Sequence, residues 1–475
     1  MKSETIAAIA TAMSNSGIGI IRVSGDESIS VVNKIFFNKD MKNTLMNAKS
    51  HTVHYGFIYD GNELIDEVLV VIMKAPNSFT TENTVEIDCH GGILVMNRIL
   101  ETVIKNGVRL AEPGEFTKRA FLNGRIDLSK AEAVIDIINS KNEFALKSSV
   151  SQLKGSLSDM IRKIREDIIF EIAFIESALD DPEHISLEGY NDKLKSKISE
   201  LLLLLEKLLD SADNGKILKE GINTVIVGKP NAGKSSLLNR LVGEEKAIVT
   251  SVAGTTRDVL EENIRLHGIQ LNMIDTAGIC ITNDEVEKIG VEKAKKYAID
   301  ADLIIYVVDS SVPLDEKDDE IISLINHKNK IVLLNKTDLK SVVSEEELKN
   351  KFNAFTSNID LDINTSSIQN ISIIKTSTKE NIGIDIFENT IKDMFFKGNI
   401  SFNEEVYITN MRHKEAIQDA CKSLKLVKQS VENEMPEDFY SIDLMSAYAS
   451  LGYVIGEEVG EDLVNEIFSK FCMGK

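Results

Sequence analysis

At 475 residues the chain exceeds one ordinary domain; a prior of roughly 150 residues per domain suggests about three, and 43% hydrophobic residues suffice for real cores. Against 54 basic residues stand 75 acidic ones, a net charge of −21, which excludes a general basic face for nonspecific phosphate-backbone binding and makes any RNA contact local or shared with a partner. The four cysteines, Cys89, Cys280, Cys421 and Cys472, lie far apart, which argues against a zinc clip or a disulfide framework and favours a reducing, cytoplasmic setting.

In chain order, the first apolar run, residues 6–13, is preceded by Lys2 with Glu4 offsetting its charge, which argues against a signal peptide. No uninterrupted apolar segment approaches the roughly 18 residues needed to span a bilayer. Residues 1–120 read as mixed α and β. Stretches 53–59 and 64–73 flank the hairpin signal Asp60-Gly61-Asn62, stretch 84–89 alternates as a strand, and Gly91-Gly92 precedes a helix over 93–105. Over 121–215 the pattern turns helical. Leu157, Ile161, Ile164, Ile168, Ile172, Ile175 and Leu179 recur at spacings of three and four, residues 194–209 repeat the theme, and Asp180-Asp181-Pro182 breaks it. Over 216–395 short apolar strands at 224–227, 271–274, 303–308, 331–334 and 371–374 alternate with helical patterns, which predicts a doubly wound parallel sheet. Residues 396–475 return to helix. The α/β domain is therefore expected as an insertion in a helical domain whose halves lie on either side of it.

Gly228-Lys229-Pro230-Asn231-Ala232-Gly233-Lys234-Ser235 follows the β-branched run Val225-Ile226-Val227 and satisfies the pattern G-x-x-x-x-G-K-[ST]. Backbone N–H groups of such a turn and of the helix after it ring an anionic phosphate, Lys234 adds charge, and the Ser235 hydroxyl suits Mg²⁺. Then come Gly254-Thr255-Thr256-Arg257-Asp258, Asp275-Thr276-Ala277-Gly278 and Asn335-Lys336-Thr337-Asp338, in the order and spacing of a guanine-nucleotide-binding domain. Asp275 can hold Mg²⁺ through water and the Gly278 N–H can sense a γ-phosphate. The Asp338 carboxylate can accept from guanine N1–H and the 2-amino group, a donor pair that adenine lacks. Ser377-Thr378-Lys379 is expected to support the base through backbone contacts, with Thr378 where alanine is usual. The expected GTP contacts are Asn231, Ala232, Gly233, Lys234, Ser235 and Ser236; Thr250, Ser251, Val252, Ala253, Gly254, Thr255 and Thr256; Asp275, Thr276, Ala277 and Gly278; Asn335, Lys336 and Asp338; and Ser377, Thr378 and Lys379. Ile279 stands where Ras-like switches carry the glutamine that positions water, so hydrolysis must be arranged otherwise. A cation between the β- and γ-phosphates, facing the Asn231 side-chain oxygen, can replace an arginine finger.

Motifs outside the nucleotide domain carry a more specific likeness. They are Gly19-Ile20-Ile21-Arg22-Val23-Ser24-Gly25, Ser78-Phe79-Thr80-Thr81-Glu82 with His90-Gly91-Gly92, Pro113-Gly114-Glu115-Phe116-Thr117-Lys118-Arg119-Ala120-Phe121-Leu122-Asn123-Gly124-Arg125, and the terminal Phe471-Cys472-Met473-Gly474-Lys475. Together they resemble the MnmE (TrmE) family of tRNA-modification GTPases over nearly the whole chain. The resemblance implies an N-terminal α+β folate-binding and dimerisation domain over 1–120, a discontinuous all-α helical domain over 121–215 and 396–475, and an inserted Ras-like P-loop GTPase domain over 216–395. It implies a potassium-activated GTPase, with K⁺ held by Asn231, Thr250, Val252 and Thr255, Mg²⁺ by Ser235 and Thr256, and Glu287 as the acid that orients the hydrolytic water.

The same resemblance implies 5-formyl- or 5,10-methylene-tetrahydrofolate at Arg22, Glu82, Arg125 and Lys475. The cationic groups suit the folate's glutamate carboxylate and Glu82 suits the pterin's paired N–H donors. It further implies a cytoplasmic homodimer that joins the flavoprotein MnmG in a heterotetramer. With the folate one-carbon unit, that assembly adds an aminomethyl or carboxymethylaminomethyl group at C5 of the wobble uridine, position 34, of tRNA. The acidic balance suits a partner that supplies most of the basic tRNA-binding surface. Cys472 is read two ways, as a reactive thiol or as a buried side chain. Two features depart from the family pattern: Ala12-Met13-Ser14-Asn15-Ser16 lacks the Pro- and Gly-rich loop usual before Gly17, and Met473 replaces the usual isoleucine, a volume-conserving change. The GTPase motifs alone also fit a regulatory or ribosome-assembly GTPase switch without modification activity. Arg22, Glu82 and Arg125 within folate-type motifs favour the enzyme.

Overall fold

The computed structural model describes residues 4–140, 142–186, 188–244, 262–266, 269–274, 301–326, 328–356, 371–396, 408–471 and 474. The chain divides into two compact units, one of Met1–Asn139, Ser149–Glu206 and Arg412–Lys475, the other of Ser140–Ser148 and Lys207–Met411. Among the described residues no helix is long and apolar enough to cross a membrane.

The first unit holds a seven-stranded sheet built from β1 (Ile6–Ile9), β2 (Ser16–Ser24), β3 (Phe36–Phe37), β4 (Thr52–Asp60), β5 (Glu63–Met73), β6 (Thr84–Gly91) and β7 (Arg109–Leu110), in the order β3-β4-β5-β6-β2-β1-β7. Every neighbouring pair is antiparallel except β1 with β7. The period-2 alternation of β5 sends Val68, Val70 and Ile72 into the core, where helices α1 (Ser28–Ile35) and α2 (Ile93–Lys105) cover them through Val32, Ile35, Met96, Ile99 and Val103. Burying each such aliphatic side chain contributes about 1.5–3 kcal/mol. The opposite face leaves Val53, Tyr55 and Leu69 exposed. At the predicted hairpin Asp60 pairs with Glu63, so Gly61, at φ 62°, and Asn62 alone make the turn. The strand β1 was not anticipated: its four residues show as one apolar run, and only pairing with β2 and β7 makes them a strand.

Helices α3 (Glu115–Leu122), α4 (Leu128–Asn139), α5 (Glu143–Lys154), α6 (Ser156–Asp180) and α7 (Tyr190–Glu220) follow. The predicted stripe is the buried face of α6 from Leu157 to Ile175, whereas Leu179, in its last turn, is exposed. The helix stops at Asp180, ahead of Pro182, which cannot extend it. After the second unit the chain returns as α12 (Met411–Glu432), α13 (Glu437–Ile455) and α14 (Glu461–Ser469), numbered over the described helices. The two helical halves meet, α6 lying against α13, while Phe468 and Phe471 pack with Leu128 and Ala131. Glu132 of α4, 8% exposed, accepts from Arg412 and contacts His413 Nε2 at 2.7 Å, which pins the first turn of α12.

The second unit is a six-stranded sheet of β8 (Ile222–Val227), β9 (Glu262–Leu266), β10 (Ile269–Met273), β11 (Leu303–Asp309), β12 (Lys330–Asn335) and β13 (Ser372–Lys375), ordered β13-β12-β11-β8-β10-β9. All its pairs are parallel except β9 with β10. In β8, Ile226 enters one core with residues of α8 (Lys234–Glu244) and α11 (Ile384–Phe396), while Val225 and Val227 enter the other with residues of α9 (Glu316–Ile325) and α10 (Glu345–Thr356). Two cores on two faces make the sheet doubly wound. Strand β9, at the sheet edge, was missed because Glu262-Asn263-Ile264-Arg265-Leu266 offers only two apolar side chains.

Candidate functional site

The phosphate loop joins the end of β8 to the start of α8, where backbone N–H groups have no partner within the helix. Its glycines are required by space and by backbone. A Cβ on Gly228, at φ 151°, would stand 2.3 Å from the Val307 carbonyl oxygen, and one on Gly233, at φ 104°, 2.2 Å from Asn335 Nδ2. Asn231 is exposed on the loop at φ 63°, a left-handed value that asparagine tolerates better than most residues. Lys234 Nζ donates to the carbonyls of Gly228 at 2.7 Å and Lys229 at 2.8 Å, and burial pulls its ammonium below the ordinary lysine range. Ala232 is buried, Ser235 half-buried on the first turn of α8, and Ser236 exposed.

Asn335 ends β12 and is 1% exposed. Its Nδ2 donates to the Ala232 carbonyl at 2.9 Å, and its Oδ1 accepts from the Thr378 N–H at 3.2 Å. One buried amide therefore fastens the phosphate loop to the Ser377-Thr378-Lys379 turn. Asp338 is exposed; a hydrogen bond from Ser377 Oγ at 2.7 Å is the main cause that holds its carboxyl below the usual aspartate range. Lys336, at φ 61°, places Nζ 2.6 Å from Asp309 Oδ2, and Lys379 is exposed. Asp309 itself was not read as a site residue; its only sequence signal is its place at the end of an apolar strand. Arrangement and charge suit a phosphate at the loop and a base carrying adjacent N–H donors at Asp338.

In the first unit, Arg22 on β2 pairs with Glu86 at 2.7 Å, donates to the Gly474 carbonyl at 3.1 Å, and lies 5.6 Å from the Phe116 ring centroid. Two residues on, the same face of β2 carries Ser24, whose Oγ donates to Glu82 Oε2 at 2.8 Å. Arg119 binds Glu82 at 3.0 Å and Glu115 at 2.9 Å. Burial would raise the Glu115 carboxyl, but the guanidiniums of Arg109 and Arg119 and the Glu112 N–H hold it below the usual range. Arg125 donates to the Phe79 carbonyl at 2.7 Å and stacks 4.9 Å from that ring. Ser24 thus holds Glu82, on the loop before β6, to the strand face that carries Arg22, and Arg125, on the loop between α3 and α4, lies against Phe79 of the loop that carries Glu82. Arg119, the residue that links Glu82 to Glu115, was quoted in a motif without a role. Thr250, Ser251, Val252, Ala253, Gly254, Thr255, Thr256, Asp275, Thr276, Ala277, Gly278, Glu287, Cys472 and Lys475 lie outside the described residues.

Among the described residues no cluster of three or more His, Cys, Asp or Glu groups could hold a metal ion. The donors named for K⁺ and Mg²⁺ are of another kind, neutral amide, hydroxyl and carbonyl oxygens. Such oxygens replace the hydration of an alkali ion, or complete a Mg²⁺ shell that is mostly phosphate and water.

A family model described as "MnmE helical domain" matches residues 128–472, and one described as "GTP-binding protein TrmE N-terminus" matches residues 5–125. The "tRNA modification GTPase MnmE" of Lachnoclostridium phytofermentans is 57% identical over 475 residues, all of both chains. The proteins of the same name from Clostridioides difficile, 47% identical over 99% of each chain, and Acetivibrio thermocellus, 46% identical over all of each, are also similar. Among solved structures, the G domain of the T. maritima FeoB iron transporter is 22% identical over 36% of this chain and 97% of that one, at a TM-score of 0.26, too low to bear on the fold.

Proposed function

Because the chain belongs to the MnmE family of tRNA modification GTPases, whose members it matches from end to end, we propose that it hydrolyses GTP to GDP and phosphate in the course of modifying C5 of the tRNA wobble uridine. The observation that carries the nucleotide part is the Asn335 clamp, which joins the phosphate loop to the turn beside Asp338. With the loop and the base-reading carboxylate fastened together, a guanine nucleotide bridges them, Asp338 accepting from N1–H and the 2-amino group. Lys234 then turns its ammonium to the β- and γ-phosphates. Ser235 and Thr256 would hold Mg²⁺, and Asn231, Thr250, Val252 and Thr255 would hold K⁺; the two ions would supply positive charge where negative charge develops between the β- and γ-phosphates. Glu287 orients the attacking water. Equal GTP turnover in K⁺ and Na⁺ would sink the potassium assignment; much faster turnover in K⁺ is expected.

The one-carbon donor is a 5-formyl- or 5,10-methylene-tetrahydrofolate held by Arg22, Glu82, Arg125 and Lys475. Ser24, two residues from Arg22 on the same face of β2, holds the Glu82 carboxylate together with Arg119, which supports this. Segments 1–120, 121–215, 216–395 and 396–475 serve as dimerisation and folate, helical, GTPase and helical segments. The exposed apolar face carrying Val53, Tyr55 and Leu69 supports a homodimer through the first of these. The flavoprotein MnmG is the second partner, and the setting is cytoplasmic. Mass spectrometry of wobble uridines in cells lacking the protein tests the whole reading. Loss of the C5 group is expected; unchanged uridines defeat it and leave a regulatory switch.

A further inference from the structure

We propose that Lys229 is a positioning residue for GTP hydrolysis, whose side chain stakes the outer limb of the phosphate loop to the start of α9 while its carbonyl holds Lys234; this rests on the GTPase reading above. Lys229 Nζ lies 2.7 Å from Asp318 Oδ2 and 3.1 Å from Asp315 Oδ2. Asp318 is 1% exposed and its carboxylate is fully engaged. Oδ1 accepts from the Tyr306 hydroxyl at 2.7 Å, and Oδ2 accepts from the Asp315 N–H at 2.9 Å as well as from Lys229. Asp315 in turn caps α9, accepting from the N–H groups of Lys317 and Asp318. Tyr306, fully buried on β11, stands in register with Val227, the last residue of β8 before the loop. Through Tyr306 the anchor on α9 is tied to the strand beside β8.

On the loop side the chain has little freedom. Pro230 limits the backbone of Lys229 to extended conformations, and the Lys229 carbonyl accepts from Lys234 Nζ at 2.8 Å. Burial would pull the Lys229 ammonium down, but the two carboxylates hold it above the ordinary lysine range. Buried ion pairs seldom stabilise a fold more than packed apolar side chains do. What this pair supplies is a fixed place for the loop backbone. Phosphate binding needs convergent N–H groups, and a misplacement of about 1 Å costs about 100-fold in rate.

The test uses the full chain with Lys229→Met and Asp318→Asn combined, so that no carboxylate is left buried without its cation. The thermal midpoint should stay close to wild type, while GDP affinity and GTP kcat should each fall about tenfold. Lys229→Arg, which keeps the charge, should restore both. Wild-type affinity and turnover in the folded double variant would overturn the proposal, and so would an arginine variant as impaired as the double one. Should the double variant not fold, Asp315→Asn keeps a helix cap and removes one charge from the stake. It should lower GDP affinity, and unchanged affinity overturns the proposal. A wild-type chain that hydrolyses no GTP instead overturns the reading on which the proposal rests.

Discussion

Asn335 is enclosed on all sides, yet both ends of its amide are used, one by the phosphate loop and one by the turn at Thr378. Replacing it would leave buried polar groups without partners in two segments at once, each costing about 1–3 kcal/mol. Asp338 is the complementary case, an exposed carboxylate that accepts from the Ser377 hydroxyl. Asp338→Asn exchanges an acceptor for a donor where the proposed contact to the guanine 2-amino group would lie. GTP affinity should fall about 100-fold or more. Xanthosine triphosphate, with a carbonyl at C2, should recover part of it, and competition binding with the two nucleotides measures both. Both residues were legible in the sequence because Asn335-Lys336-Thr337-Asp338 is a contiguous motif. Lys229, Asp315 and Asp318 were not, because their meeting depends on β8 and β11 lying side by side.

Among elements, the C-terminal segment departs most from what periodicity could say. After α14, Phe471 is buried in the helical core, and Gly474 reaches the sheet, where its carbonyl accepts from Arg22. Gly474 sits at φ 84°, and a Cβ there would stand 2.4 Å from the Ile9 carbonyl oxygen and 2.7 Å from Ala10 Cα. Gly474→Ala adds backbone strain of about 1–2 kcal/mol to that clash. The tail should leave β1 and release Arg22. Carboxypeptidase digestion should then quicken, and equilibrium dialysis with 5-formyltetrahydrofolate should show weaker binding. An unchanged digestion rate would mean that the tail is held without this contact. The terminal motif was readable as a likeness, but its docking partner β1 was hidden, since four apolar residues near a terminus carry no period.

For the whole molecule, the notable interaction joins halves that the chain separates by the entire nucleotide domain. Glu132 and Arg412 are 280 residues apart in sequence and meet at 2.9 Å. Burial alone would raise the Glu132 carboxyl, but His413 and Arg412 hold it at about 2, below its ordinary 4.5. A depressed carboxylate binds protons more readily in the unfolded chain. Its contribution is therefore present above pH 4.5 and is lost as pH falls towards 2. Glu132→Gln should destabilise the protein at neutral pH by about 1.5–3 kcal/mol, the usual worth of a hydrogen bond to a charged group. It should also flatten the fall in stability across that acid window, which denaturant titrations at stepped pH can follow. The sequence alone determined the family, the fold class, the helical and strand periods and the nucleotide, because these are written in neighbouring residues and fixed spacings. Tertiary structure alone decided which basic side chain meets which carboxylate: Arg412 and His413 with Glu132, Lys229 with Asp318, Arg119 with Glu82. Electrostatic and hydrogen-bond energies depend on distance in space and on burial, and the chain sets neither until its strands and helices have packed.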